Sequence, residues 1–122
     1  MTATVRAGLA ILLCLSALTQ TALADESFDA ARRALADDRF ASAERLLETL
    51  AREAPGEVEP HALLGRARLR QGRFAVAREP LEHAAALDPD WPGLQRDLGS
   101  AWLHTGEHAR ARDALERAIQ AD

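Results

Sequence analysis

Residues 64–77 read LGRARLRQGRFAVA, and 34 positions later residues 98–111 read LGSAWLHTGEHARA. Both stretches open on Leu-Gly (Leu64-Gly65, Leu98-Gly99), carry a second glycine at Gly72 and Gly106, and close on Ala77 and Ala111. Laid out with that period, residues 24–57, 58–91 and 92–122 fall into register without an insertion. Ala43 joins the alanine column. Four residues on stand Leu47, Leu81 and Leu115, and three further Leu50, Ala84 and Ala118, a spacing that puts all three columns on one face of a helix. Earlier in each unit Ala30, Leu64 and Leu98 precede Ala31, Gly65 and Gly99, and then Ala34, Arg68 and Trp102, which marks a first helix. Between the two helices stand Asp38, Gly72 and Gly106, where a left-handed backbone is easy for Gly and tolerable for Asp. Pro55 and Pro89 share a late column, and neither can continue a helix. The predicted unit is helix, tight turn, helix, used three times.

The phrases Leu64-Gly65, Gly72-Arg73-Phe74, Ala77 and Leu87-Asp88-Pro89, with Leu98-Gly99, Gly106, Ala111 and Ala118, resemble the tetratricopeptide repeat (TPR) family. The resemblance covers essentially everything after residue 24. It implies an all-α, right-handed superhelical solenoid of about three repeats and a non-catalytic protein-protein interaction module, with the partner held along the concave surface of the first helices. The sequence departs from the family pattern at Ser27, His61 and Gln95, where the family places Trp, and keeps an aromatic in the Tyr column only at Trp102. The first repeat, with Ala31 and Asp38, reads as a drifted terminal repeat. Gly65 and Gly99 are expected to face Ala77 and Ala111, and Pro80 should remove one backbone hydrogen bond from its helix and bend it.

The first 24 residues are different. Arg6 precedes an apolar run from Ala7 to Leu18, then polar Thr19 to Thr21, then Ala22-Leu23-Ala24 before Asp25-Glu26. This is the layout of a secretory signal peptide, with small residues three and one positions before a cut after Ala24. The domain expected is 25–122, periplasmic or secreted, with no membrane span after cleavage; an uncleaved N-terminal anchor is the other reading. Cys14 lies within the apolar run and follows Leu13, unlike a lipidated cysteine. The segment 25–122 thus holds no thiol, and so no disulfide, cysteine nucleophile or cysteine metal cluster.

Charge and residue types exclude several functions. Beyond Ala24 stand 14 basic and 19 acidic residues, a net charge of −5, which argues against nucleic-acid binding. His104 and His108 are separated by the turn at Gly106, and His61 and His83 have no further ligand at suitable spacing, so no metal site is expected. No phosphate loop or nucleophile constellation is present. The reading is a non-enzyme without cofactor. Phe28, Phe40, Phe74, Trp91 and Trp102 are scattered over the repeats, which disfavours a sugar or small-molecule pocket.

Helical spacing assigns the groove. Its floor would be Leu35, Leu69 and Leu103, flanked by Arg32, Arg66, Arg70 and Arg96 with Ser100 and His104. The arginines would offer planar forks to the carboxylates of an acidic, extended or helical peptide; the alternative is that they are solvated or paired with nearby Asp and Glu. The family's chaperone-clamp domains carry Asn where Arg32 and Arg66 stand, so that function does not transfer. A second contact surface is expected at Leu115, Ala118 and Ile119 on the last helix, open to a partner or to self-association. The function expected is an adaptor or scaffold in the cell envelope; the alternative is an accessory subunit that positions or regulates an envelope enzyme or a secretion or pilus assembly complex.

Overall fold

The computed structural model describes residues 3–121. Met1, Thr2 and Asp122, the expected ends of the leader and of the third repeat, lie outside the described residues. Among the described residues six helices follow one another: α1 (Ala3–Ala36), α2 (Phe40–Glu53), α3 (Val58–Arg70), α4 (Phe74–Leu87), α5 (Leu94–His104) and α6 (His108–Ala121). Each packs on the next, and α3 also touches α5. The fold is the expected all-helical solenoid of three two-helix repeats.

The three interhelix turns share one geometry. Asp38, Gly72 and Gly106 have φ of 57°, 74° and 86°. Their own N–H groups donate to Leu35, Leu69 and Leu103, and the next N–H groups, of Arg39, Arg73 and Glu107, reach back to Ala34, Arg68 and Trp102. This is the Schellman arrangement, which satisfies carbonyls the helix leaves open. The second helices stop as expected: α2 and α4 are capped at Ala54 and Asp88, one residue before Pro55 and Pro89.

Helix α1 differs from the expectation of a separate leader and a short first helix. It runs unbroken from Ala3 to Ala36, because neither Gly nor Pro interrupts residues 9–54. Ser16 and Thr19 turn their hydroxyls onto the carbonyls of Leu13, Leu15 and Ser16. Val5, Leu9, Ile11, Leu12, Leu15 and Leu18 are all more than half exposed, whereas Ala24 and Phe28 pack against the first core cluster. By length and composition Thr4–Ala36 could cross a membrane, a test that signal sequences near an N-terminus also pass.

Among the described residues eleven alanines and seven leucines make up the buried apolar set, so the core depends on close backbone approach more than on large side chains. Gly65 and Gly99 provide that approach. A Cβ on either would run into Leu81 or Leu115, with the Ala77 or Ala111 carbonyl next nearest. The leucine column thus sits on the glycine of its own repeat, a closer contact than the expected one with alanine. The core divides into two clusters, and α3 contributes Leu63, Leu64 and Ala67 to one and Ala62 to the other.

A polar network crosses the same junction. Arg68, only 17% exposed, donates from Nε to Glu44 (3.0 Å) and from Nη2 to Glu48 (3.1 Å). Its Nη1 donates to the Val76 carbonyl at 3.0 Å, the group left without its helical donor because Pro80 has no N–H. Helix α4 continues through Pro80. Glu44 also accepts from Gln71 Nε2 at 2.7 Å and from Arg73 Nη1 at 2.8 Å. Burial alone would raise the Glu44 pKa, but the hydrogen bonds from Gln71 and Arg68 and the charge of Arg73 outweigh it and hold the carboxyl below its usual range.

Both the turn geometry and the polar network can be tested by substitution. Asp38→Gly relieves a left-handed L-residue and should raise stability by about 1 kcal/mol, a gain of roughly 4–8 °C in melting temperature. Glu44→Ala strands the half-buried Arg68 and should cost about 3–5 kcal/mol, read by urea or thermal melting. Because the folded-state pKa of Glu44 is depressed, its contribution is complete above the unfolded value of about 4.3 and is lost as pH falls through the folded value. Glu44→Gln should therefore flatten the fall in stability on acidification below that pH.

Candidate partner-binding groove

The first helices α1, α3 and α5 carry the stripe of arginines and leucines, and the structure splits it in two. Arg32 Nε donates to Glu59 Oε1 at 2.8 Å, its Nη1 contacts Asp29 at 3.1 Å, and its guanidinium lies 5.5 Å from the Phe28 ring centre. Arg66 Nε donates to Asp97 Oδ2 at 2.9 Å. Both forks are thus occupied by carboxylates of the following repeat, which corrects the expectation that they stand open. The alternative is pairing on neighbouring turns; Arg32–Asp29 is such a pair, while Glu59 and Asp97 lie on the first helix of the next repeat. The signal was present in the sequence as Glu59 and Asp97 near the starts of α3 and α5, but nothing in linear spacing told which carboxylate meets which arginine.

Gly93 makes room for the second strut. It has φ of 80°, and a Cβ there would lie 2.7 Å from Arg66 Nη2 and 3.5 Å from Arg96 Nη2. The backbone angle favours glycine at this position, and a side chain there would have to push aside the tip of Arg66. Their proximity leaves Arg96 beside a cation whose charge Asp97 already balances.

Arg70 and Arg96 are different. Both are exposed, and among the described residues neither makes an ion pair or a side-chain hydrogen bond. Leu35 and Leu69 are half-buried against the two core clusters, while Leu103 is 47% exposed. His104 Nδ1 lies 2.8 Å from the Ser100 carbonyl; a carbonyl only accepts, so Nδ1 carries the proton and donates it. The His104 ring stacks on Phe74, centres 3.8 Å apart and nearly parallel. Arg96 also borders an open cleft of about 770 Å³ with Trp91, Pro92, Arg117 and Ala118. The accessible part of the stripe therefore lies on α5 and the end of α3.

At the far end, Leu115 is half-buried and rests where a Cβ on Gly99 would be. Ala118 is half-buried, and Ile119 is 75% exposed. Of the three residues expected to form a second surface, Ile119 is the one that stands open.

One pairing escaped sequence reading. His61 and His83 lie 4.0 Å apart, ring centre to ring centre, and both Nε2 atoms reach the Pro55 carbonyl, at 3.1 and 2.9 Å. Burial pushes the His61 pKa down, the Pro55 bond opposes this, and the His83 charge adds to it. The imidazole is neutral near pH 7 and ties the α2–α3 connection to α3 and α4. Among the described residues no group of three or more His, Cys, Asp or Glu is placed to hold a metal ion.

A tetratricopeptide repeat family model matches residues 28–92 and again 62–122. The chain belongs to the tetratricopeptide repeat family. Solved TPR structures superpose on it. A mutant form of MamA gives a TM-score of 0.72 at 21% identity, covering 81% of this chain and 72% of that one. The Yersinia enterocolitica type III secretion chaperone SycD, in complex with a peptide of the translocator YopD, gives 0.72 at 18% identity, covering 80% and 74%. The Sgt2 TPR domain from Aspergillus fumigatus gives 0.71 at 23% identity, covering 80% and 65%. No curated protein matches the chain. At these identities the likeness is one of fold, and the TPR arrangement of paired helices is what the chain shares with them.

Proposed function

We propose that this TPR chain is a non-catalytic adaptor that holds a partner polypeptide on the concave side of its second and third repeats. The observation that carries the reading is the pair of cations, Arg70 and Arg96, unpartnered among the described residues, on the stripe whose leucine floor opens at Leu103. A guanidinium free of internal carboxylates can meet a ligand carboxylate without first breaking a bond within the fold. The partner segment would carry acidic residues beside apolar ones. SycD, whose structure holds a translocator peptide, supports the use of this fold for peptide capture. The chain's place in a cell envelope, periplasmic or secreted after cleavage at Ala24, rests on its leader; an accessory role beside an envelope enzyme, secretion or pilus complex uses the same surface.

Two measurements test these points. Affinity capture with the tagged chain, wild type against an Arg70→Glu, Arg96→Glu double variant, should show about tenfold weaker retention of the bound polypeptide for the variant, from two exposed pairs of up to about 1 kcal/mol each. Added salt should weaken the wild type toward the variant; retention unaffected by either change overturns the groove. N-terminal sequencing of the protein from its native host should start at Asp25, and an intact Met1 would overturn cleavage.

A further inference from the structure

The two repeat junctions are latched at the same place by different chemistry. At the second, Gln95 Nε2 of α5 donates to the Pro89 carbonyl at 2.9 Å. At the first, His61 stands 34 residues earlier in the same column and sets its Nε2 3.1 Å from the Pro55 carbonyl, and His83 of α4 brings a second Nε2 to within 2.9 Å of the same oxygen. A carbonyl only accepts, so each ring carries a hydrogen on Nε2 and donates it. The amide of Gln95 does this at every pH, whereas an imidazole is the side chain that changes charge near neutrality. The backbone bonds of the two connections match. Ala54 N–H donates to Leu50 and Glu57 N–H to Ala54, and 34 residues on Asp88 donates to Ala84 and Trp91 to Asp88. The junctions therefore differ in what holds the proline carbonyl, not in how the chain turns.

The His61 and His83 ring centres are 4.0 Å apart, so two protons on the pair set two cations against each other at that separation. His61 is 8% exposed, whereas His83 is exposed and free to leave. The charged groups facing the pair come from three helices: Glu48 and Arg52 on α2, Arg68 on α3 and Glu79 on α4. Two carboxylates and two guanidiniums balance in sign, and Arg68 already holds Glu48. Glu53 and Glu57, the other charges beside Pro55, line the separate cleft between α1 and α2. We propose that the His61–His83 pair is a pH-operated latch on the joint between the first and second repeats, closed while at most one ring is charged and opened when both are. On opening, the His83 ring turns to water, the Pro55 carbonyl loses one of its two donors, and the connection loosens from α4. Burial, opposed by the Pro55 bond and assisted by the His83 charge, holds the His61 pKa below its ordinary value. In the unfolded chain both rings charge at about pH 6.5, so the folded pair binds fewer protons. The latch's contribution is complete above about pH 6.5 and is lost as pH falls through the folded value.

The test is amide hydrogen exchange on the protein at about pH 7.5 and about pH 5, a window above the one in which Glu44 is protonated, with protection corrected for the intrinsic rate at each pH. Protection at Ala54 and Glu57 should fall about tenfold, the equivalent of one pKa unit, while Asp88 and Trp91 keep theirs. His61→Gln copies the Gln95 latch and should make the first junction as insensitive as the second. His83→Gln, at an exposed site, removes the second cation without disturbing the core and should flatten the dependence in the same way. Equal protection at the two pH values in the wild type, an equal fall at Asp88 and Trp91, or a wild-type fall retained in His83→Gln would overturn the latch. So would imidazole resonances of His61 and His83 that titrate independently, each unchanged by substitution of the other ring.

Discussion

The fold depends on how one guanidinium is held between repeats. Arg68 stands in the column where the TPR pattern places an aromatic ring, on the helix that joins both core clusters. A cation in that half-buried place is tolerable only if its donors are matched. Glu44, Glu48 and the Val76 carbonyl match three of them, one from each of its nitrogens. The last contact resolves two irregularities together: Pro80 leaves an acceptor without a donor, and Arg68 brings a donor into a site short of acceptors. Neither substitution in the repeat pattern is understandable alone, and each is the physical reason the other is tolerated.

With so many alanines in the core, the geometry of the turns carries a large share of specification. Small residues allow helices to approach closely but leave their relative rotation weakly determined. The Schellman bonds at Asp38, Gly72 and Gly106 fix where each first helix ends and where its second begins. The glycines at 65 and 99 then set the depth at which the leucine column docks. Stability in such a solenoid is a sum of nearest-neighbour terms, and the charged struts Arg32–Glu59 and Arg66–Asp97 link α1 to α3 and α3 to α5 beside the apolar contacts of the two core clusters.

Much of this was legible in the sequence because it is periodic. The register, the left-handed turns at Asp38, Gly72 and Gly106, and the stops before Pro55 and Pro89 all follow from residue types recurring every 34 positions. What was not legible is what happens across repeats between unlike residues. The Arg68 network joins an arginine unique in its column to a glutamate, Glu44, whose counterparts are Arg78 and Arg112, so no repeat comparison points to it. Arg32 and Arg66 share a column, yet their carboxylates stand at different places in the following repeats, Glu59 at the second position and Asp97 at the sixth. Helical spacing assigns the arginines to one stripe but carries no information on which of them are paired within the fold. His61 and His83 meet only because α3 and α4 fold back beside the Pro55 carbonyl.

Occupied and open groups are divided by position along the solenoid. Arg32 and Arg66 are consumed as struts on α1 and α3; Arg70 and Arg96 remain free among the described residues, and Leu103 is the exposed member of its column. The same asymmetry holds for the outer glutamates: Glu48 and Glu82 have donors, and Glu116 has none among the described residues. Arg32, Arg66, Glu48 and Glu82 are each satisfied by the repeat that follows, whereas Arg70 on the second repeat and Arg96 on the third have no such partner among the described residues. An intramolecular partner holds its acceptor at high effective concentration, and a ligand competing at Arg32 or Arg66 would have to overcome that advantage. At Arg70 and Arg96 it faces no such competitor among the described residues, and that difference in competition is the physical basis of the proposed groove.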